Sequence, residues 1–377
     1  MILINILVAN IIGMALYSYT ASYLHYLGAE PAIILLIVTI FPLTTVIFPP
    51  FLGKFSDQKQ NRILFILVGQ IGIILSFILI LFTQNLIVFA ILLFIWGFFS
   101  SSHSMIGVLY AELVQNDQKL ISYYTAMISL GWFFGGFGGG IFIDTVGIQF
   151  IFHLFIGLGV FNTLFVLFIK ENRQLILEQN QELTLIGEDA TRKELRPISN
   201  SVYYGLFFRN FGIRPIFSIF PLIMALHLSS DTEIGFLIGI NPLIQFFLMI
   251  LIGTIVSDKN FKSLMIIGYL LNCVVIIGYI FSTTFIDFLI FQILVSLAFS
   301  LFWIPTQVYI AKNTTPHNKG KYMMYINTSF YLGSFGGGLF FSLMVALFSN
   351  YYLGMYFLIL FPLISAMFIQ FGFSKLE

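Results

Sequence analysis

Three side chains that can carry charge interrupt long apolar stretches of this sequence. Arg209 and Arg214 lie in the stretch 202–227, and His103 lies in the stretch 86–110. A charge in hydrocarbon is costly, so these residues are expected to face a polar interior. If the helix begins near 201, Arg214 lies ~20 Å along it, near or past the middle of a ~30 Å hydrocarbon core. We interpret the arginines as candidate ligands for an anionic group and His103 as a candidate proton carrier.

Each of these readings has a structural alternative. Arg214 can bond carbonyls that Pro215 frees, or its helix can begin later than 201. His103 can be a satisfied polar residue of the core. Further candidates for a substrate cavity are polar or aromatic residues inside other apolar stretches, although such aromatics can also pack or face lipid: Tyr17, Asn241, Gln245, Trp303, Gln307 and Asn327.

The elements that must position these residues are membrane helices. Hydrophobic residues make up 59% of the 377 positions, charged residues 9%, and the mean hydropathy is +0.99. A soluble chain of this size would expose too much apolar surface. A membrane helix needs about 20 apolar residues, and the sequence predicts twelve, numbered here as spans 1 to 12: 3–27, 32–53, 62–83, 86–110, 121–143, 149–169, 202–227, 232–256, 263–283, 286–310, 321–347 and 351–373.

The distribution of positive charge predicts how these spans are oriented. With twelve spans, both termini and every even-to-odd connection share one side of the membrane. All 17 Lys and Arg residues except Arg209 and Arg214 fall on that side, which we call the basic side. The opposite side carries acidic residues such as Glu30, Asp144 and Asp231. Positive charge is retained in the cytoplasm, so we expect a multi-pass plasma-membrane protein with both termini cytoplasmic.

The chain resembles one six-helix unit written twice. A polar, basic break at 53–62 returns 200 residues later at 253–262, and Phe-Gly-Gly-Gly occurs at 137–140 and at 335–338. The sequence therefore predicts an N-terminal bundle over 1–169 and a C-terminal bundle over 201–377. A long mixed-charge connection over 170–200 is expected to be a cytoplasmic linker.

These features resemble the major facilitator superfamily of secondary transporters over nearly the whole chain. The loop after span 2 is similar to that family's Gly-x-x-x-Asp signature followed by basic residues, with a looser second copy at Asp258; the matching residues are Gly53, Asp57, Lys59 and Arg62. The resemblance implies an all-α integral membrane fold of two pseudo-symmetric six-helix bundles. It also implies alternating access to a site near the midplane and a conformational latch, rather than a substrate ligand, at Asp57.

Span 5 carries a glycine pattern similar to the signature of the drug:proton antiporter branch. Gly131, Gly135 and Gly139 share one helix face, which lets another helix pack closely, and Gly136 stands where that branch has proline. Gly140 and, in span 11, Gly336 extend the predicted packing or hinge surfaces. The alternative is close packing without meaning for the direction of transport.

Some function classes find no support in the sequence. There is no phosphate-binding loop, no metal-ligand spacing, and one cysteine, and the net charge of +1 gives no argument for nucleic acid. We expect no enzyme activity, cofactor or metal, and a monomer in the lipid bilayer. The predicted function is secondary transport of a small organic solute, with proton-coupled efflux favoured by span 5. The alternatives are a symporter or facilitator for organic anions that uses Arg214, and, in a different class, a non-transporting membrane sensor.

Overall fold

A computed structural model describes residues 1–59, 61–114, 118–169, 198–257, 259–314 and 316–373. Within these ranges the secondary structure is helical, and no strand occurs. Most of the predicted linker, Asp258 and the last four residues lie outside the described residues. Eleven helical segments of the described chain are long and apolar enough to cross a membrane, and span 7 is the predicted span that is absent from them.

Eight spans are single helices, span 6 being preceded by a short 3-10 turn at Ile148–Phe150. Their bounds are Ile2–Tyr26 for span 1, Arg62–Leu81 for span 3, Gln118–Val146 for span 5, Ile151–Leu167 for span 6, Asp231–Ile255 for span 8, Phe261–Phe281 for span 9, Phe285–Lys312 for span 10 and Pro316–Phe348 for span 11.

The other four spans are broken helices. Span 2 comprises Pro31–Val38 and Ile40–Lys59, span 4 comprises Leu86–Ser100 and His103–Leu113, span 7 comprises Ser201–Ser218 and Phe220–Ala225, and span 12 comprises Tyr351–Leu358 and Leu360–Phe373. In span 7 the second helix starts with Pro221 near its first position, where the missing N–H has no helical partner to lose.

The break in span 4 has a different cause. The hydroxyls of Ser100 and Ser101 both donate to the carbonyl of Gly97, at 3.0 and 2.8 Å. Serine side chains that bond back to the preceding turn bend helices. The break therefore lies immediately before His103, which begins the second helix of the span.

The chain forms two compact units whose borders fall inside spans 2 and 8. The described residues of the first unit lie within 1–30, 40–169 and 229–239, and those of the second lie within 31–39, 198–228 and 240–373. Residues 31–39 and 229–239 thus group with the unit formed mainly by the other half of the sequence. The two segments are related by the 200-residue offset of the repeat.

Each unit has its own apolar core. In the first unit Ile66 and Leu109 are completely buried, and in the second Leu206, Tyr269 and Phe302 are. Large apolar side chains also lie fully on the surface, for example Phe82 at 83% exposure and Ile87 at 72%. Such side chains suit contact with lipid.

Glycines let two helix pairs approach backbone to backbone in a repeated pattern. In the first unit, Gly131 and Gly135 of span 5 lie against the carbonyls of Leu7 and Ile11 of span 1. In the second unit, Gly333 and Gly337 of span 11 lie against the carbonyls of Phe207 and Phe211 of span 7, at an offset of about 200 residues from the first pair.

We predict that Gly135→Val destabilises the protein, because a Cβ at this position would overlap the Ile11 carbonyl and the Met14 side chain. Overpacking of this kind costs about 1–3 kcal/mol. The measurement is thermal unfolding of the purified protein in detergent.

Gly138→Val is the matched control, because a Cβ on Gly138 meets no atom within 4 Å. Both changes alter helix propensity equally. Equal melting temperatures for the two variants would contradict the assignment of Gly135 to a close helix contact.

Candidate functional site

Arg209 lies completely enclosed in the second unit, with an exposure of 1%. Its Nε and Nη2 atoms donate to Oδ1 of Asn272 in span 9, at 3.2 and 3.1 Å, and its Nη1 donates to Oδ1 of Asn210 at 2.9 Å. The guanidinium carbon lies 4.5 Å from the ring centre of Phe302 and 5.3 Å from that of Phe299. Hydrogen bonds and cation–π contacts therefore compensate for the desolvation of this charge.

The two asparagines are held by the backbone of their own helices. Nδ2 of Asn210 donates to the carbonyl of Leu206 at 2.7 Å, and Nδ2 of Asn272 donates to the carbonyl of Gly268 at 2.6 Å. Each amide oxygen is thereby turned toward the guanidinium. Sequence analysis did not identify Asn272, although an asparagine inside an apolar span meets the same criterion that selected Arg209.

Arg214 occupies a different environment five residues further along span 7. Its side chain is half-buried, and the guanidinium carbon lies 5.2 Å from the ring centre of Phe330 in span 11. The Phe330 ring in turn packs edge-on against Trp303 of span 10, with ring centres 5.8 Å apart. The half-buried Trp303 also stacks on Phe299, which contacts Arg209. These contacts place a cation beside a continuous aromatic surface.

A neutral amide network joins spans 8 and 10 in the same unit. Nδ2 of Asn241 donates to Oε1 of Gln292 at 2.8 Å, and the Ser296 hydroxyl contacts the carbonyls of Asn241 and Gln292 at 3.0 and 2.8 Å. Asn241 is half-buried, whereas Gln292 is buried. Sequence analysis named Asn241 but missed Gln292.

The remaining predicted residues of the second unit differ in exposure. Gln245 is buried at 8% exposure, Gln307 is half-buried and Asn327 is exposed. Gln307 lies four residues after Trp303 in span 10, so the two side chains share one helix face. The helical spacing therefore places Gln307, of these three residues, on the side of span 10 that carries the aromatic surface.

In the first unit, His103 contacts a side chain of span 3. Its Nε2 lies 2.9 Å from Nε2 of Gln70, a residue that is itself buried at 1% exposure. His103 is half-buried and begins the second helix of span 4, directly after the break. This arrangement can hold the imidazole in one orientation. Gln70 was not identified from the sequence.

The first unit also contains amide contacts near Tyr17. Trp132 of span 5 donates its Nε1 hydrogen to Oδ1 of Asn10 at 3.0 Å, and Asn10 donates to the carbonyl of Ile6 at 2.8 Å. Tyr17 is half-buried and packs edge-on against Phe41, with ring centres 6.0 Å apart. The contact between Asn10 and Trp132 thus involves only neutral groups.

The predicted latch is described only in part. Gly53 lies in the helix that ends at Lys59, Asp57 lies in its last turn, and Arg62 begins the next helix. A Cβ on Gly53 would meet no atom within 4 Å. Among the described residues, no close helix contact therefore depends on this glycine. Asp258 lies outside the described residues.

The predicted packing glycines lie on two faces of span 5. Gly131, Gly135 and Gly139 contact span 1, whereas Gly140 faces Gly235 of span 8. In span 11 a Cβ on Gly336 would lie 3.1 Å from the Phe211 ring.

Within the described ranges, no group of three or more His, Cys, Asp or Glu residues is placed to hold a metal ion.

Comparison with known proteins agrees with this architecture. An uncharacterised MFS-type transporter of Methanocaldococcus jannaschii is 23% identical over 334 residues, which are 86% of this chain and 83% of that protein. The solved nucleoside transporter NupG matches with a TM-score of 0.79 at 12% identity, covering 100% of this chain and 98% of that one.

Two further solved structures share the fold. A D-xylose-proton symporter matches with a TM-score of 0.76 at 17% identity, covering 98% of this chain and 97% of that chain. The human organic anion transporter MFSD10 matches with a TM-score of 0.67 at 15% identity, covering 98% of both chains. The predicted all-α, two-bundle membrane fold is confirmed.

Residues 1–211 and 202–375 match the Major Facilitator Superfamily separately, as expected for a unit written twice. The multi-pass membrane architecture and the role in secondary transport follow from this match. The chain belongs to the Major Facilitator Superfamily.

Proposed function

We propose that this transporter carries a small organic solute with an acidic group by alternating access, and that Arg214 binds that group. The observation that carries the proposal is the half-buried Arg214 guanidinium above the Phe330 ring, near the middle of span 7. Arginine recognises carboxylate and phosphate groups through parallel hydrogen bonds. The adjacent rings of Phe330 and Trp303 offer an apolar surface to the rest of the solute.

Arg209 has a supporting role in this proposal. Its hydrogen bonds and ring contacts enclose the guanidinium, and 1% exposure leaves no approach for a solute. The partners described for it are amide oxygens and aromatic rings, so its positive charge is solvated but not neutralised. A second cation five residues away increases the local positive potential at Arg214 and thereby favours an anion.

The similar solved structures support a small solute, but they do not single out one kind. They include a nucleoside transporter, a D-xylose-proton symporter and an organic anion transporter. At 12–17% identity these similarities are evidence for a shared fold and not for a shared substrate. The choice of an organic anion therefore rests on Arg214 and its surroundings.

Proton-coupled export is the second candidate function. The observation that favours it is the contact between His103 and Gln70 next to the break in span 4. Histidine changes its charge near neutral pH, and a polar partner inside a span can hold its ring in place. The glycine pattern of span 5 is the feature that favours export over uptake.

The remaining parts of the proposal concern location and assembly. We infer a plasma-membrane protein whose basic side faces the cytoplasm, because all Lys and Arg residues outside span 7 lie on that side. We further infer a monomer that binds its solute, the lipid bilayer and, for the second candidate, protons. A sensor that does not transport would show no solute flux in liposomes under any gradient.

We predict that organic anions stabilise the detergent-purified protein and that Arg214→Gln abolishes this effect. A ligand that binds only the folded state adds about 2.7 kcal/mol at 100 times its Kd. The measurement is the melting temperature with a panel of aromatic and aliphatic monocarboxylates. Arg214→Lys should retain part of the shift because it keeps the charge but loses the planar donor pair.

Lys54→Gln is the control, because it removes the same charge from an exposed position on the basic side. It should bind anions as the unmodified protein does. Normal anion stabilisation of Arg214→Gln would contradict the assigned role.

We predict that Asn272→Leu destabilises the protein by about 1.5–3 kcal/mol, because it leaves the buried Arg209 guanidinium without two hydrogen bonds. Combining it with Arg209→Met removes the charge as well, so the double variant should be more stable than the two single effects predict. Unfolding midpoints of all four proteins measure the coupling. Additive effects would show that the two side chains do not depend on each other.

We predict that His103→Gln abolishes proton-driven solute accumulation in liposomes and preserves exchange of labelled solute. The glutamine amide can still contact Gln70 but cannot take up a proton. A pH-sensitive dye inside the liposomes measures proton movement. His25→Gln, at an exposed position near the end of span 1, is the control, and unchanged proton movement in His103→Gln would exclude His103 as the proton carrier.

A further inference from the structure

Span 5 makes a second backbone contact, on a face next to the one that packs against span 1. Gly136 and Gly140 lie against Gly239 and Gly235 at the start of span 8, close enough that a Cβ on Gly136 would be 2.9 Å from the Gly239 nitrogen. All four residues belong to the first unit. The Tyr19 hydroxyl donates to the carbonyl of Gly136 at 2.7 Å. We call this contact between spans 5 and 8 the glycine seam.

A carboxylate from span 5 closes the end of this seam on the side opposite to the basic side. Oδ2 of Asp144 accepts hydrogen bonds from the Ser230 hydroxyl at 2.8 Å and the Thr232 N–H at 3.0 Å, and Oδ1 accepts from the Asp231 N–H at 3.2 Å. The helix of span 8 begins at Asp231. Asp144 therefore caps the N-terminus of a helix that lies 87 residues away in sequence.

This cap differs in kind from the local caps of the chain. The first N–H groups of a helix lack helical partners, and a carboxylate there also interacts favourably with the helix dipole. Asp287 performs this role within its own helix, accepting from the N–H groups of Thr283 and Thr284 at 3.2 and 2.9 Å. Asp144 supplies the same chemistry from another span, so its bonds exist only while spans 5 and 8 lie together.

The equivalent contact in the second unit lacks a carboxylate. There Gly338 of span 11 lies against Thr39 of span 2, and the Ser342 hydroxyl donates to the carbonyl of Ala32 at 2.7 Å. These residues correspond to the glycine seam at an offset of about 200. The second unit thus has the neutral hydrogen bond from Ser342, whereas the first unit has three hydrogen bonds to the Asp144 carboxylate. Hydrogen bonds to a charged acceptor are the stronger kind.

We propose that Asp144 is a latch that holds the start of span 8 on span 5 and must release it when the non-cytoplasmic side opens. Span 8 is one unbroken helix from Asp231 to Ile255, and its residues from 240 onward group with the second unit. A movement that carries this helix away from span 5 as a rigid body therefore has to part its contact with Asp144. The inference rests on the proposed alternating access. It does not depend on the identity of the solute.

The test measures the distance between the ends of spans 5 and 8 by pulsed electron spin resonance, without any solute. Spin labels are attached to Val146→Cys and Glu233→Cys, whose native side chains are exposed, in a background where the single native cysteine is replaced by Cys273→Ala. We expect one short distance when Asp144 is intact. Asp144→Ala should add a longer-distance population and shift the ratio of long to short by five- to thirtyfold, on the order expected from hydrogen bonds to a charged group.

Two further variants make the result decisive. Asp287→Ala removes a carboxylate with two similar backbone hydrogen bonds on the same side of the membrane and should leave the distance unchanged. Gly140→Leu places a side chain into the glycine seam and should lengthen the distance, since its Cβ alone would overlap the Asp231 carbonyl.

An unchanged distance in Asp144→Ala, with a longer one in Gly140→Leu, would show that the seam opens without a latch at Asp144 and would overturn the proposal. An equal shift in Asp287→Ala would overturn it as well. Because no solute takes part, failure of anion binding at Arg214 leaves this result unaffected, and the two proposals fail separately.

Discussion

Close approach of helix backbones at glycine is the constraint on which each unit depends. Gly131 and Gly135 admit the carbonyls of span 1, and Gly333 and Gly337 admit those of span 7. In a membrane, helices gain little from burying apolar surface because lipid is equally apolar, so packing density and interhelical contacts decide which faces meet. A side chain at Gly131 or Gly135 would push span 5 away from span 1, which carries Asn10. A side chain at Gly333 or Gly337 would push span 11 away from span 7, which carries Arg209.

The two units use this shared backbone pattern for different electrostatics. Asn10 and Asn210 occupy equivalent positions 200 residues apart, and each amide donates to the carbonyl four residues before it. The oxygen of Asn10 accepts from the neutral Trp132 indole, whereas that of Asn210 accepts from the Arg209 guanidinium. An identical local structure thus serves a neutral contact in one unit and a buried cation in the other.

The sequence predicts the positions of the helices better than it predicts which side chains contact each other. Length and hydropathy predict twelve spans, each of which is helical in the described residues, and eleven of them are long and apolar enough to cross a membrane. Four-residue spacing identifies the glycine face at Gly131. The sequence analysis predicts none of the four helix breaks, and those at Ser101 and Ile359 carry no glycine or proline that would mark them. Arg209 and Arg214 are alike in sequence, but five residues rotate a helix by about 140°. One therefore meets Asn272 and the other Phe330, and only the packed structure separates them.

That rotation also explains why one helix can hold both a buried charge and an accessible one. Arg209 orients toward Asn272 of span 9. The amide oxygens of Asn272 and Asn210 and two rings of span 10 replace water around it. Arg214 orients toward span 11 and stays half-buried beside the Phe330 ring. A guanidinium in such a position can form parallel hydrogen bonds with a mobile anion. We therefore expect selectivity to depend on the acceptors of span 9 as well as on Arg214, because they keep the second charge from competing for the same anion.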